Sequence, residues 1–290
     1  MQLFPFILVI ISIFTHAYWN YLIKSSQNKH IFTGLSKLAE VVIFAMPAIY
    51  FLWTTEFKIE FMVLIVVAAI ITFLNYFFLS NAYKYGELSL VYPVSRSSII
   101  FLPILAFFFI DETIDGVGLS AIILILLGTF IMHMESFDKA GFHSILKNIG
   151  NKGSIYALLA ALTVAGYTIW DKVSISKMEP FLYFYLYTFI VATLYNLLTV
   201  TRFRKGEIVG EWKINRKKIV LVGFLNSFTY ILILTALTMS KATYVGGLRQ
   251  LSIVVGAFLG YKLLGEKLGL PKLAGIFVSI LGGCLIYLAK

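Results

Sequence analysis

The sequence has little of what soluble proteins and enzymes are built on. Its 290 residues include one cysteine, Cys284, in the last apolar run. That excludes an internal disulfide and a cysteine-based metal site. Charged residues make up 13% and apolar ones 60%, against roughly a quarter and a half in soluble domains, so the chain belongs in lipid. HExxH, GxSxG and GxxxxGK[ST] are all missing, and no cysteine lies near a histidine, which leaves neither hydrolase chemistry nor ATP-driven work a foothold. Asp111, Glu112 and Asp115 share one short loop and read as a membrane edge. No enzymatic activity, cofactor or metal is expected. A basic n-region and a small-residue cleavage site are also missing ahead of the first span, which is read as a retained helix.

What is present is a series of long, continuously apolar runs. They do not alternate as barrel strands do, and helices pair every backbone group within the span. Helices are expected at 3–24, 31–53, 61–82, 88–109, 117–134, 153–173, 180–201, 217–238, 243–264 and 270–288. The fold class is therefore an all-α integral membrane protein with ten spans of roughly 20 residues each. Connections are short except at 135–152 and 202–216. The first of these divides the chain into halves, 1–140 and 141–290. The net charge of +10 comes from Lys and Arg in the loops, so it concerns topology and no nucleic acid partner is expected. Most of the basic residues flank the odd-numbered loops, dominated by TRFRKGEIVGEWKINRKK. The positive-inside rule then puts both termini outside the cytoplasm.

The halves repeat each other. Residues 82–112, AYKYGELSLVYPVSRSSIIFLPILAFFFIDE, return as 236–266, ALTMSKATYVGGLRQLSIVVGAFLGYKLLGE. Without a gap, Ala82 falls on Ala236, Ser98 on Ser252 and Glu112 on Glu266, and the register extends to Tyr76 on Tyr230 and Gly128 on Gly282. Each copy carries one arginine inside an apolar span, Arg96 and Arg249, in adjacent columns, with Gln250 in the column of Arg96. A central arginine costs about 2.5–3.5 kcal/mol on insertion scales, so two of them mark a site at the repeat interface. The span also holds Tyr92, Pro93 and Pro103, and the second copy sets Gly246 and Gly247 in the columns of Tyr92 and Pro93. Both helices are weakened just before the arginine, the pattern of broken helices at a transporter's binding site.

Other polar side chains sit at helical spacings. His16, Trp19 and Asn20 share a face of the first span, and Tyr167, Trp170 and Asp171 take the matching positions in the sixth. The tryptophans also suit an interfacial anchor, and Asp171 reads either as neutralised by its neighbour Lys172 or as sitting at the membrane edge. Lys37 and Glu40 lie within the second span, three residues apart. They read either as a self-satisfied ion pair or as an anion contact and a proton carrier. Asn75, Tyr76 and Asn81, and across the repeat Asn226, Thr229 and Tyr230, suit hydrogen bonds between helices. Gly128 and Gly282–Gly283 suit close helix contacts, within or between subunits.

The spans YPVSRSSIIFLPILAFFFIDE and YVGGLRQLSIVVGAFLGYKLLGE, with the Trp-Asn and Trp-Asp pairs, resemble EamA-type proteins of the drug/metabolite transporter superfamily. The resemblance covers essentially the whole chain, and one departure is Asp111-Glu112 where the family more often has glycine-glutamate. It implies two inverted five-helix repeats, a cavity among helices one to four and six to nine, and helices five and ten outside. It implies a secondary transporter of a multi-pass kind, expected in the bacterial inner membrane, as a monomer or a homodimer in the lipid bilayer. The favoured small-molecule substrate is an anionic or zwitterionic metabolite, since guanidinium groups present a planar two-pronged donor set. The alternatives are export of cationic or amphipathic compounds through Glu40 and Asp171, and a channel-like or accessory membrane protein.

Overall fold

In a computed structural model, which describes residues 1–85, 94–134, 137, 151–265 and 268–290, every regular element is a helix. In chain order these are α1 (Leu3–Lys24), α2 (Lys29–Ile43), α3 (Ala45–Thr54), α4 (Phe61–Tyr85), α5 (Ser98–Ile110), α6 (Gly116–Met132), α7 (Lys152–Ile175), α8 (Pro180–Arg202), α9 (Lys205–Met239), α10 (Ala242–Arg249), α11 (Ser252–Leu264) and α12 (Leu270–Leu288). Among these, seven spans are long and apolar enough to cross a membrane, or eight with the bent pair α2–α3; α5 and α6 are shorter apolar helices. The protein is thus an integral, multi-pass membrane protein. Its surface inverts that of a soluble protein, with Phe107, Phe108 and Phe109 more than half exposed on the outside of α5.

Local chemistry fixes the helix ends. Asn28, Asp115 and Asn151 accept first-turn N–H groups at the starts of α2, α6 and α7, as short polar caps do. Pro180 opens α8 behind the Glu179 carboxylate, where a missing N–H costs nothing.

Two helices differ from the sequence expectation. The span expected at 31–53 bends by 48° between α2 and α3. Pro47 in α3 has no N–H, and its ring crowds the carbonyl four residues earlier, that of Ile43 at the end of α2. The expected loop 202–216 is almost wholly helical, and α9 runs for 35 residues, or about 52 Å at 1.5 Å per residue. The Glu207 carboxylate accepts the Arg204 N–H at its start. Buried Glu211 accepts from the Asn28 N–H at 3.1 Å and from Asn215 at 2.7 Å, tying the extension to the start of α2.

The duplication is carried by the backbone. At the offset that puts Ala82 on Ala236, α5 and α11 coincide at both ends, and α4 ends where α9 ends. The turns at Arg96–Ser97 and Gln250–Leu251 interrupt the two copies in the same columns. Both copies close in the left-handed region, Asp111 at φ 52° and Gly265 at φ 69°. This accounts for the Asp111 departure: glycine adopts that conformation without strain, and aspartate tolerates it better than most residues.

Packing pairs also come in mates with the halves exchanged. α1 lies on α9 as α4 lies on α7, α2 on α9 as α8 on α4, and α1 on α11 as α7 on α5. Between α6 and α12 a Cβ on Gly128 would come within 2.6 Å of the Ser279 nitrogen and 2.7 Å of the Gly275 carbonyl oxygen. The glycine faces of these helices are therefore used within the chain, against each other, because only a hydrogen fits between the backbones.

Thermal unfolding of purified protein checks this. Gly128→Ala should lower the midpoint, because backbone atoms would have to move. Gly256→Ala, whose Cβ meets nothing within 4 Å in α11, should raise stability by roughly 0.5–1 kcal/mol through helix propensity.

Candidate functional site: a polar cavity between the halves

A cavity of about 1000 Å³ runs between the two sets of helices. Arg96, Arg249 and Gln250, from the two interrupting turns, lie on its wall. The turns also touch each other, with Gln250 Nε2 donating to Ser98 Oγ at 3.0 Å. Wall residues of the outer reaches, Lys29, His30, Lys84 and Arg202, come from the end of the bundle formed by the start of α2 and the last turns of α4 and α8. Among the described residues the lining holds six basic side chains, Lys29, Lys37, Lys84, Arg96, Arg202 and Arg249, and one acidic, Glu40.

Arg249 ends α10 with its guanidinium 5.5 Å from the ring centre of Tyr230 and 6.0 Å from that of Tyr167. Ring faces attract a cation, and the guanidinium also makes a side-chain hydrogen bond to Tyr167, which takes fewer of its N–H donors than a bidentate carboxylate would. The carboxylate stands one side chain back. Asp171 is 2% exposed and accepts hydrogen bonds from Tyr183 at 2.8 Å and Tyr230 at 2.9 Å. Lys172, expected as its partner, turns away and donates to the Leu237 and Ser240 carbonyls at the end of α9, because successive residues do not share a helix face.

The Lys37–Glu40 pair closes at 2.9 Å. Glu40 also accepts from Asn226 at 2.8 Å and Ser227 at 3.4 Å, so its oxygens are occupied by α2 and α9 together. This is the self-satisfied arrangement, and it links the halves.

His16, Trp19, Asn20, Tyr76, Tyr167 and Tyr230 also line the cavity, with His16 in electrostatic range of both arginines. Asp171 and Trp170 do not reach it. Asp171 lies behind Tyr230, and Trp170 Nε1 donates to the Leu64 carbonyl at 2.9 Å, pinning α7 to α4. Tyr92 lies outside the described residues. Asn75 and Thr229, in one column of the repeat, bond across to Thr163 and Thr15, the helix-to-helix use expected of them. Sequence reasoning passed over the α8 face of Tyr187, Thr188, Tyr195 and Thr199, all on the wall. From Thr188 onwards their spacings of seven and four residues, which keep to one helix face, were the available signal, and the lack of charge there hid it.

The opposite end of the bundle is shut by contacts from both halves. Glu112 caps α10, accepting from the Ala242 N–H at 2.7 Å and the Thr243 N–H at 2.9 Å. Lys241 reaches back to the Thr113 carbonyl at 2.7 Å, and Tyr244 donates to Asp115 at 3.0 Å. Asp115 is outside the spans, and the Gly118 and Lys290 N–H groups hold its carboxyl below the usual range. A depressed carboxyl contributes above its unfolded value of about 3.9, and that contribution fades as pH falls through the folded value. This contact therefore holds through neutral pH.

The described residues thus form a bundle of membrane-crossing helices around a polar cavity that leads towards one end and is held shut at the other. Residues 151–288, essentially the second half, match the model of the EamA-like transporter family. No curated protein matches it. One solved crystal structure shares the fold at TM-score 0.71 and 13% identity, over 98% of this chain and 95% of that one.

If the Lys37–Glu40 pair is structural, Lys37→Met should destabilise by about 3–5 kcal/mol by stranding Glu40, and pairing it with Glu40→Leu should recover most of the loss. Chemical or thermal unfolding of the single and double variants measures both.

Proposed function

We propose that the protein is a secondary carrier for a small anionic or zwitterionic metabolite, working by alternating access. The observation that carries this reading is the charge of the cavity wall, six basic side chains to one acidic, the latter already engaged by Lys37, Asn226 and Ser227. An anion entering it meets Arg249 held by ring faces, with N–H donors available for a carboxylate or phosphoryl group. Export of cations has weaker support, since Glu40 is occupied and Asp171 is off the wall.

Alternating access is supported by the bundle's two unlike ends and by the mated packing of the halves. We read the halves, 1–140 and 141–290, as two five-helix repeats of inverted topology. Rocking one against the other would break the contacts of Glu112 with α10 and close the mouth at Lys84 and Arg202. That mouth is at the end that carries most of the loop Lys and Arg residues, which the positive-inside rule assigns to the cytoplasm. The state described is then open inward, with both termini outside.

Thermal unfolding against anions, zwitterions, cations and neutral sugars tests the substrate class. A ligand at a hundred times its dissociation constant stabilises by about 2.7 kcal/mol. Stabilisation by anions or zwitterions is expected, with loss of it in Arg96→Gln or Arg249→Gln and no loss of folded protein. Stabilisation by cations alone would contradict the assignment.

A further inference from the structure

The buried carboxylate of Asp171 lies off the cavity wall, behind Tyr230. It is 2% exposed, lies within a membrane span four residues from its C-terminal end, and has no cation bonded to it. Such a group is costly in lipid and marks function more often than fold. Its surroundings can be named element by element. From α8 come Tyr183, which donates to Oδ1, and Tyr187, whose ring packs edge-on against those of Tyr183 and Tyr230. From α9 comes Tyr230, which donates to Oδ2. From α10 comes the charge of Arg249, on the far side of Tyr230. On its own helix Lys172 is turned to the end of α9. No charged group of α4 or α5, which also pack on α7, acts on it.

Two hydroxyls donating to the two carboxylate oxygens fit the ionised form, since a protonated acid would have to donate from one of them. Asp171, when ionised, therefore places a negative charge one tyrosine away from the guanidinium proposed to receive the substrate. Asp171 and an incoming anion compete for the same positive charge, the carboxylate through the Tyr230 hydroxyl and ring and the anion directly. Neutralising Asp171 removes the competitor, so a proton on Asp171 and an anion on Arg249 each favour the other. By thermodynamic linkage the effect is reciprocal. Tyr230 lines the cavity and touches Asp171, so a proton from the cavity reaches the carboxylate through that hydroxyl.

We propose that Asp171 is the proton site of this carrier, and that one proton travels with the substrate anion by binding to it. Asp171 is a positioning residue in this account, acting on the substrate through Tyr230 and Arg249. The proposal rests on the anion reading above and specifies its coupling: import and export would both be proton–anion symport, driven in the direction set by the two gradients.

The test uses purified full-length protein with malate as a dicarboxylate probe and sulfate as a tetrahedral dianion probe. Affinity is measured between pH 5.5 and 8.5, and proton uptake is read in weakly buffered solution with a pH indicator. In the wild type, uptake approaching one proton per bound anion is expected. Affinity should fall by up to tenfold per pH unit on the alkaline side. In Asp171→Asn the anion should bind about as tightly at every pH as the wild type does at its most acid, with no proton taken up. A purely structural Asp171 would instead weaken binding at every pH and leave the uptake in place. Tyr230→Phe, which keeps both charges and removes the link, should slow turnover and reduce the pH dependence, and it serves if the asparagine variant folds poorly. Anion binding without proton uptake in the wild type overturns the proton site alone. Uptake that survives Asp171→Asn and vanishes in His16→Gln does so too, by assigning the proton to the imidazole. Failure of both probes to bind at any pH overturns the anion reading and this proposal together.

Discussion

A guanidinium inside a membrane span has to be met by protein, and most of this structure follows from meeting two of them. Arg96 lies in, and Arg249 immediately before, turns that interrupt their helices in corresponding columns. An interrupted helix frees backbone groups that lipid cannot satisfy, so such turns survive only where they line a cavity or find protein partners. Here they do both. Gln250 bonds to Ser98 across the halves, and the arginines line the cavity. The remaining helices wrap this core and leave their apolar faces outward.

The second arginine shows how the cost is held down without filling the site. A carboxylate bonded directly to Arg249 would neutralise it and compete with any anion. The structure sets tyrosine rings against the guanidinium and keeps the carboxylate of Asp171 behind Tyr230. The Lys37–Glu40 pair is the contrasting case. Its charges bond each other and are closed off by Asn226. One charge is left available to a ligand, and the other pair ties α2 to α9.

Much of this could be read from the chain. The apolar runs gave the all-helical membrane class, and the duplication reappears as helix ends and turns in matching columns, because hydropathy and a repeated register survive without knowledge of contacts. Of the ten spans expected, seven or eight are long and apolar enough to cross a membrane among the described residues. The bend at Phe44 was missed because Pro47 lies three residues past the break, and the clash is with a carbonyl that hydropathy does not see. The helical start of α9 was missed because a basic, polar segment reads as a loop. Its helix is supported by Glu211 and Asn215, buried against the start of α2, a contact made far along the chain. Asp171 was expected on the inward, substrate-facing side, and the structure buries it behind Tyr230, off the cavity wall. Spacing gives the face of a helix, and only packing gives the depth.

The central claim is that one cavity faces the two sides in turn and carries an anion. Counterflow in proteoliposomes tests it most directly: labelled anion is added outside vesicles loaded with the same unlabelled anion, or with none. Carriage by alternating access predicts saturable uptake that is faster into loaded vesicles, and loss of both features in Arg249→Gln. Flux that does not saturate, or that ignores the anion on the far side, would contradict it and make the protein a channel.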